Sequence, residues 1–171
     1  MTTQISGLTG VSQCQPGSVS QDDLAANVVG KGPAFSTYPS GVGQTITSSV
    51  WTKVNLFVEV FDTNNNFDTV AFRFLPTIAG YYQINGSIGI DGSTGITSAR
   101  AGIYKNGSPY LYGDGVLAPS GTQGSAGVST IIFLNGSSDY IELWAAISGT
   151  TCVINKNATH TSLSGFLARA A

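Results

Sequence analysis

Residues 56–84 read LFVEVFDTNNNFDTVAFRFLPTIAGYYQI. Two stretches of alternating side chains flank a run of three asparagines. Upstream, Val54, Leu56, Val58 and Val60 fall at every second position and are expected to share one strand face. Downstream, Tyr82, Ile84, Ile88 and Ile90 repeat the pattern, with Gly86 among them. A period of two belongs to extended chain, so both stretches predict strands, and Asn64, Asn65 and Asn66 predict the loop between them. Asp62, Phe67, Phe74, Gly80 and Tyr82 are spaced through the same stretch.

Further along, Ile141, Leu143, Ala145 and Ile147 form one apolar face opposite Tyr140, Glu142 and Trp144. Turn-forming pairs punctuate the chain at Asp91-Gly92, Asn106-Gly107 and Asn135-Gly136. The last two tolerate positive φ and are expected to make tight hairpins. Past Pro33 no helical period competes with the alternation. Short strands between regular turns predict an all-β sandwich, barrel or jelly roll.

The composition of the 171 residues narrows the function. Hydrophobic residues make up 42% and charged residues only 9%, so solubility rests on Ser, Thr, Asn and Gly. Few charges stand in the way of burying a large face against another chain. A net charge of −2 offers no electrostatic footprint for nucleic acid, and no apolar run has the length of a membrane-spanning helix. The opening MTTQISGLTGVSQ lacks the basic start and apolar centre of a secretory signal. Cys14 and Cys152 are read as reduced thiols rather than a disulfide framework, and with one histidine they leave little material for zinc. His160 sits in NKNATHTS, where a surface role is expected rather than a catalytic one. Asp62, Asp68, Asp91, Asp114 and Asp139 are scattered singly among turn residues, so turn-making is expected of them rather than calcium binding. Gly30-Lys31-Gly32 lacks the Ser or Thr of a phosphate loop. No nucleophile–base pair, cofactor or metal is expected, and the chain reads as a non-enzyme.

Residues 1–32 differ from the rest. Ser20-Gln21-Asp22-Asp23 has the form of a capping box, and Gly30 is placed to stop a brief helix whose apolar side is Leu24, Ala25 and Val28. So short a helix does not persist alone in water and needs a neighbour. Residues 1–32 are therefore expected to be an anchor segment and residues 33–171 a β head.

The spacing of Asp62, Phe67, Phe74, Gly80 and Tyr82 resembles the fingerprint of the globular heads of C1q, a branch of the TNF-like jelly rolls. Five of seven fixed positions are met, with Leu56 and Ile84 in place of phenylalanines. Ser164-Gly165-Phe166-Leu167 resembles the end of that family's last strand, and the likeness runs from about Pro33 to Arg169. It implies a jelly-roll sandwich of about ten antiparallel strands, assembly as a homotrimer, and binding rather than catalysis. Apolar residues in the opposite phase to the core then need a second home. Tyr81, Ile131, Phe133 and Phe166 are expected to be the trimer interface. Tyr110 and Tyr112 are expected on an edge strand, packing on a neighbour in preference to stacking on a sugar.

DLAANVVGKGPAF, residues 22–35, is similar to the segment that introduces this domain in virion proteins of tailed bacteriophages. This implies a protein of the virion's capsid surface, made in the host bacterial cytoplasm. It would be a decoration or cement knob whose Leu24, Ala25 and Val28 dock on the major capsid protein or another virion protein. The alternative is the receptor-binding tip of a tail fibre, gripping a host glycan or protein. The short segment ahead of the head favours a peg on a shell over a fibre shaft. In that setting the Asn-x-Ser/Thr triplets at Asn85, Asn106, Asn135 and Asn157 carry no glycosylation meaning.

Overall fold

Alternation in this chain resolves into strands that switch repeatedly between two layers. The computed structural model describes residues 31–90, 94–113, 115 and 124–171. Leu24, Ala25, Val28 and the brief helix predicted around them lie outside these residues, as do Cys14, Asp91-Gly92 and Asp114. The described strands are β1 (Ala34–Tyr38), β2 (Gln44–Ile46), β3 (Thr52–Lys53), β4 (Val58–Asp62), β5 (Phe67–Asp68), β6 (Arg73–Phe74), β7 (Gly80–Ile90), β8 (Ser98–Lys105), β9 (Ser108–Tyr112), β10 (Gly124–Leu134), β11 (Ile141–Ser148), β12 (Cys152–Ile154) and β13 (Ser162–Ala170). Thirteen appear where about ten were expected, because β3, β5 and β6 are two-residue pieces.

All the strands pair antiparallel, in a jelly-roll sandwich. In the first sheet, β7 pairs with β10 from Ile90↔Gly124 to Gly80↔Leu134. The other edge of β7 takes β13 and, at its far end, β12. From there β13 leads to β1 and β4, and β12 leads to β2. The second sheet runs β5-β6-β11-β8-β9, with β3 on β11 beside β6. The inward faces meet in one core that includes Phe35, Tyr82, Ile84, Ile88, Ile132 and Leu163 from the first sheet, and Ile103, Leu143 and Ile147 from the second.

The spaced residues of 56–84 each have a physical task in this core. Phe74 stacks on Phe35 with centroids 4.1 Å apart and meets Tyr82 edge-on at 5.6 Å, while Phe67 also stacks on Phe35, at 5.6 Å. The buried Tyr82 hydroxyl donates to Ile78 O at 2.7 Å, which removes the cost of burying it unpaired. Asp62 closes the asparagine loop: its carboxylate accepts from Phe67 N at 2.6 Å and Asn64 N at 3.3 Å. At Gly80 a Cβ would lie 2.5 Å from Arg169 O, so only glycine fits against β13. Leu56 and Ile84, where the fingerprint carries phenylalanine, are both fully buried.

Two expectations are corrected. Val54, Leu56, Val58 and Val60 do not share a face: Val54 and Leu56 are buried, Val58 is intermediate, and Val60 is 62% exposed. The chain leaves the second sheet after β3 and joins the first at β4, and a bulge in the β1–β4 register skips Val60. Asn135-Gly136 is not a tight hairpin, because it joins β10 in the first sheet to β11 in the second. There the Asn135 side chain accepts from the amides of Ser137, Ser138 and Asp139, and Gly136 supplies φ +70°. Asn106-Gly107 does form the expected hairpin between β8 and β9, with φ +52° and +75°.

Candidate assembly face

The outward face of the first sheet follows from its register. Tyr81 on β7 lies opposite Phe133 on β10, and Gln83 lies between Ile131 on β10 and Phe166 on β13. Asn85 comes next, between Ser129 and Ser164. Strand alternation sends Tyr82, Ile84, Ile132 and Leu167 into the core, so these neighbours must point out.

The outward residues form an apolar end and a polar end. Tyr81, Ile131, Phe133 and Phe166 are 47%, 57%, 39% and 47% exposed, a grouping of large apolar side chains that a solvated surface does not require. Tyr81 and Phe133 touch with centroids 5.4 Å apart and planes inclined by 59°. With Ile131 and residues 168–171 they line a concavity of about 590 Å³. The rim is fixed from behind: Lys105 Nζ donates to Phe133 O at 2.8 Å and pairs with Asp139 Oδ2 at 2.8 Å. That ion pair, together with Asn106, holds the Asp139 carboxyl below the usual carboxylate range. Toward the polar end, Gln83 Nε2 donates to Ser129 Oγ at 2.9 Å and to Asn85 Oδ1 at 3.2 Å. Ser129 Oγ donates in turn to Asn85 Oδ1 at 2.8 Å.

Charge is sparse on these strands, although Lys105 Nζ lies 5.9 Å from the Phe133 ring centroid. Strands β1, β7, β10 and β13 contain one charged residue between them, Arg169 beside Tyr81. The structure thus brings all four sequence-predicted interface residues onto one exposed face. Sequence reading missed two contributors. Phe61 on β4, 48% exposed, faces the same way opposite Ser36, and its phase was hidden by the bulge. The Gln83–Asn85–Ser129 network joins residues far apart in the chain and leaves no local signal.

The outer face of the second sheet is different. Trp144 stacks on Tyr104 at 4.3 Å, and Trp51 stacks on Tyr112 at 4.4 Å. Glu142, buried beside them, pairs with Lys53 at 3.0 Å and accepts from Trp144 Nε1 at 3.0 Å. Burial, with a smaller contribution from a hydrogen bond to Tyr112, pushes the Tyr104 phenol up to about 12. Strand β9, which carries Tyr110 and Tyr112, is the edge of this sheet, as predicted. Tyr112 already has one ring face covered by Trp51.

The chain matches no protein-family model and no curated protein. Solved structures do match. A murine APRIL structure superposes with a TM-score of 0.61 at 11% identity, over 79% of this chain and 98% of that one. The globular domain of zebrafish complement 1qA gives 0.57 at 14% identity, over 81% and 98%. An Eiger TNF structure from S. frugiperda gives 0.63 at 8% identity, over 81% and 93%. The fold is therefore the TNF/C1q-like jelly roll.

Proposed function

We propose that this chain forms a homotrimeric, non-catalytic knob, closed through the outer face of the first sheet, that decorates and cements a bacteriophage capsid surface. One observation carries the assembly half of this reading: four adjacent strands hold a single charge and expose Tyr81, Ile131, Phe133 and Phe166 together. Desolvating such a face costs little, and burying it releases apolar area at about 25 cal/mol per Å². Cyclic closure joins one patch to a different patch of the next copy. The virion half is supported by the likeness of residues 22–35 to phage virion proteins. In this reading residues 1–32 are the anchor, with Leu24, Ala25 and Val28 docking on the major capsid protein or another virion protein.

Two measurements test it. Light scattering at micromolar concentration should give three times the chain mass, and a monomer mass defeats the assembly half. Particles lacking the protein should adsorb to the host normally but lose heat resistance, because a ligand of the intact shell stabilises that state by mass action. Lost adsorption with unchanged heat resistance would instead establish the receptor-binding reading.

A further inference from the structure

The polar end of the candidate face holds more than solvated side chains. Gln83 sits directly between Ile131 and Phe166, the two large apolar residues that a covering chain would bury. Its amide nitrogen is engaged with Ser129 and Asn85. Asn85 Oδ1 accepts twice, from Gln83 and Ser129. The network engages neither Gln83 Oε1 nor Asn85 Nδ2, so it leaves one acceptor and one donor per chain without a partner. Gln83 Nε2 reaches Asn85 Oδ1, so the two amides are in contact on the face.

A covering surface that left Gln83 Oε1 without a donor would pay the penalty of an unsatisfied buried carbonyl. The covering chain must therefore bring a donor to this point. A second copy of the same chain brings one, Asn85 Nδ2, beside the same apolar patch. We propose that Asn85 Nδ2 of each copy donates to Gln83 Oε1 of the next, so that three identical hydrogen bonds close a ring around the threefold axis. This rests on the trimer reading given above. A head-to-tail donor–acceptor pair is satisfied in every chain only when the ring closes, so it selects a closed assembly over an open chain of copies.

Charge exchange tests it. Neither position is buried, so Gln83→Lys and Asn85→Asp chains should both fold, which circular dichroism and a thermal melt verify. Alone, each should trimerise at least tenfold more weakly than wild type, since each loses an inter-copy partner. Mixed in equal amounts, they should form trimers containing both chains, detected by native mass spectrometry, at lower concentrations than either variant alone needs, and a chain carrying both substitutions, which restores all three contacts, should trimerise more tightly still. In each mixed trimer the new ammonium of one chain meets the new carboxylate of the next at one of the three contacts. If wild type is trimeric but each variant trimerises as tightly as it does, or the mixture gains nothing, the ring is wrong while the trimer stands. A monomeric wild type removes the trimer reading and the ring with it.

Discussion

The two outer faces of the sandwich carry similar numbers of aromatic rings and use them in opposite ways. On the second sheet, Trp51 covers Tyr112, Trp144 covers Tyr104, and Glu142 joins Lys53 to the Trp144 indole. Those groups meet their needs within one chain. On the first sheet, Tyr81 and Phe133 meet at an incline beside an open concavity, while Ile131 and Phe166 flank a glutamine with an acceptor to spare. The charges divide the same way. Strands β3, β5, β6, β8 and β11 of the second sheet hold Lys53, Asp68, Arg73, Arg100, Lys105 and Glu142, whereas the adjacent first-sheet strands β10, β7, β13 and β1 hold Arg169 alone and Glu59 and Asp62 lie beyond them on β4. A face finished by its own chain serves stability; a face left apolar and nearly uncharged is suited to another copy.

Breaking that contrast should have its largest effect on the first sheet. Placing carboxylates at the concavity with Tyr81→Asp and Phe133→Asp together should weaken trimer association by at least about 100-fold, the scale of two lost hot-spot residues. Both side chains point outward, so the protomer should remain folded. Analytical ultracentrifugation alongside circular dichroism reads the two effects separately. A double variant that stays trimeric would mean that the interface lies elsewhere.

The next effect belongs to the second sheet. Trp51→Ala removes a partly buried ring from its stack on Tyr112 and should cost about 2 kcal/mol of protomer stability, below the range for a fully buried tryptophan. Urea denaturation below the association concentration measures it. Trimer association should not change. If Trp51→Ala dissociates the trimer instead, the self-contained face has been misread as such.

How much of this was legible beforehand differs between core and surface. Phe67, Phe74 and Tyr82 were legible because packing them together requires fixed spacing along strands of fixed rise, whereas Phe35, which joins their stack from β1, carried no such signal. Tyr81, Ile131, Phe133 and Phe166 were legible as apolar residues in the wrong phase for the core. Phe61 was not, because the bulge opposite Ser36 shifts the count by one residue. Val60 was placed wrongly for the same reason. Asn135-Gly136 read as a hairpin because positive-φ chemistry marks a turn without saying which sheet each flanking strand joins. The Gln83–Asn85–Ser129 network depends on the register of β7 against β10, which no short stretch encodes.

A smaller effect is expected where the second sheet's ion pair is cut. Glu142→Ala leaves the Trp144 indole and the partly exposed Lys53 without their shared acceptor. It should cost about 1–2 kcal/mol, less than the loss of a fully buried pair because water reaches Lys53. Lys53 also donates to Ala71 O at 3.0 Å, so the loop after β5 should lose protection in hydrogen exchange while the β7–β10 ladder keeps it. Equal loss in both regions would argue against local action.

The smallest effect is a pH dependence carried by two carboxyls. Backbone hydrogen bonds from Ala71 and Val70 lower the Asp68 carboxyl, and Lys105 with Asn106 lowers Asp139. Groups lowered in the fold contribute stability that is complete above their unfolded value of about 3.9 and disappears as pH falls through the folded value. Acid should therefore weaken the protomer below about pH 4. Asp139 should matter more than Asp68, because its side chain is 14% exposed against 42% and is screened less by water. Asp139→Asn should lower stability at neutral pH and flatten the acid limb of a thermal-melt series, with Asp68→Asn doing the same more weakly. The first sheet's face carries no carboxylate on β1, β7, β10 or β13. In the Asp139→Asn background, where the Lys105 that holds Phe133 O no longer responds to a carboxyl, trimer association should accordingly stay constant with falling pH for as long as the protomer remains folded. An association constant that falls in step with the titration of these carboxyls would place charge in the interface and undo the separation between the two faces.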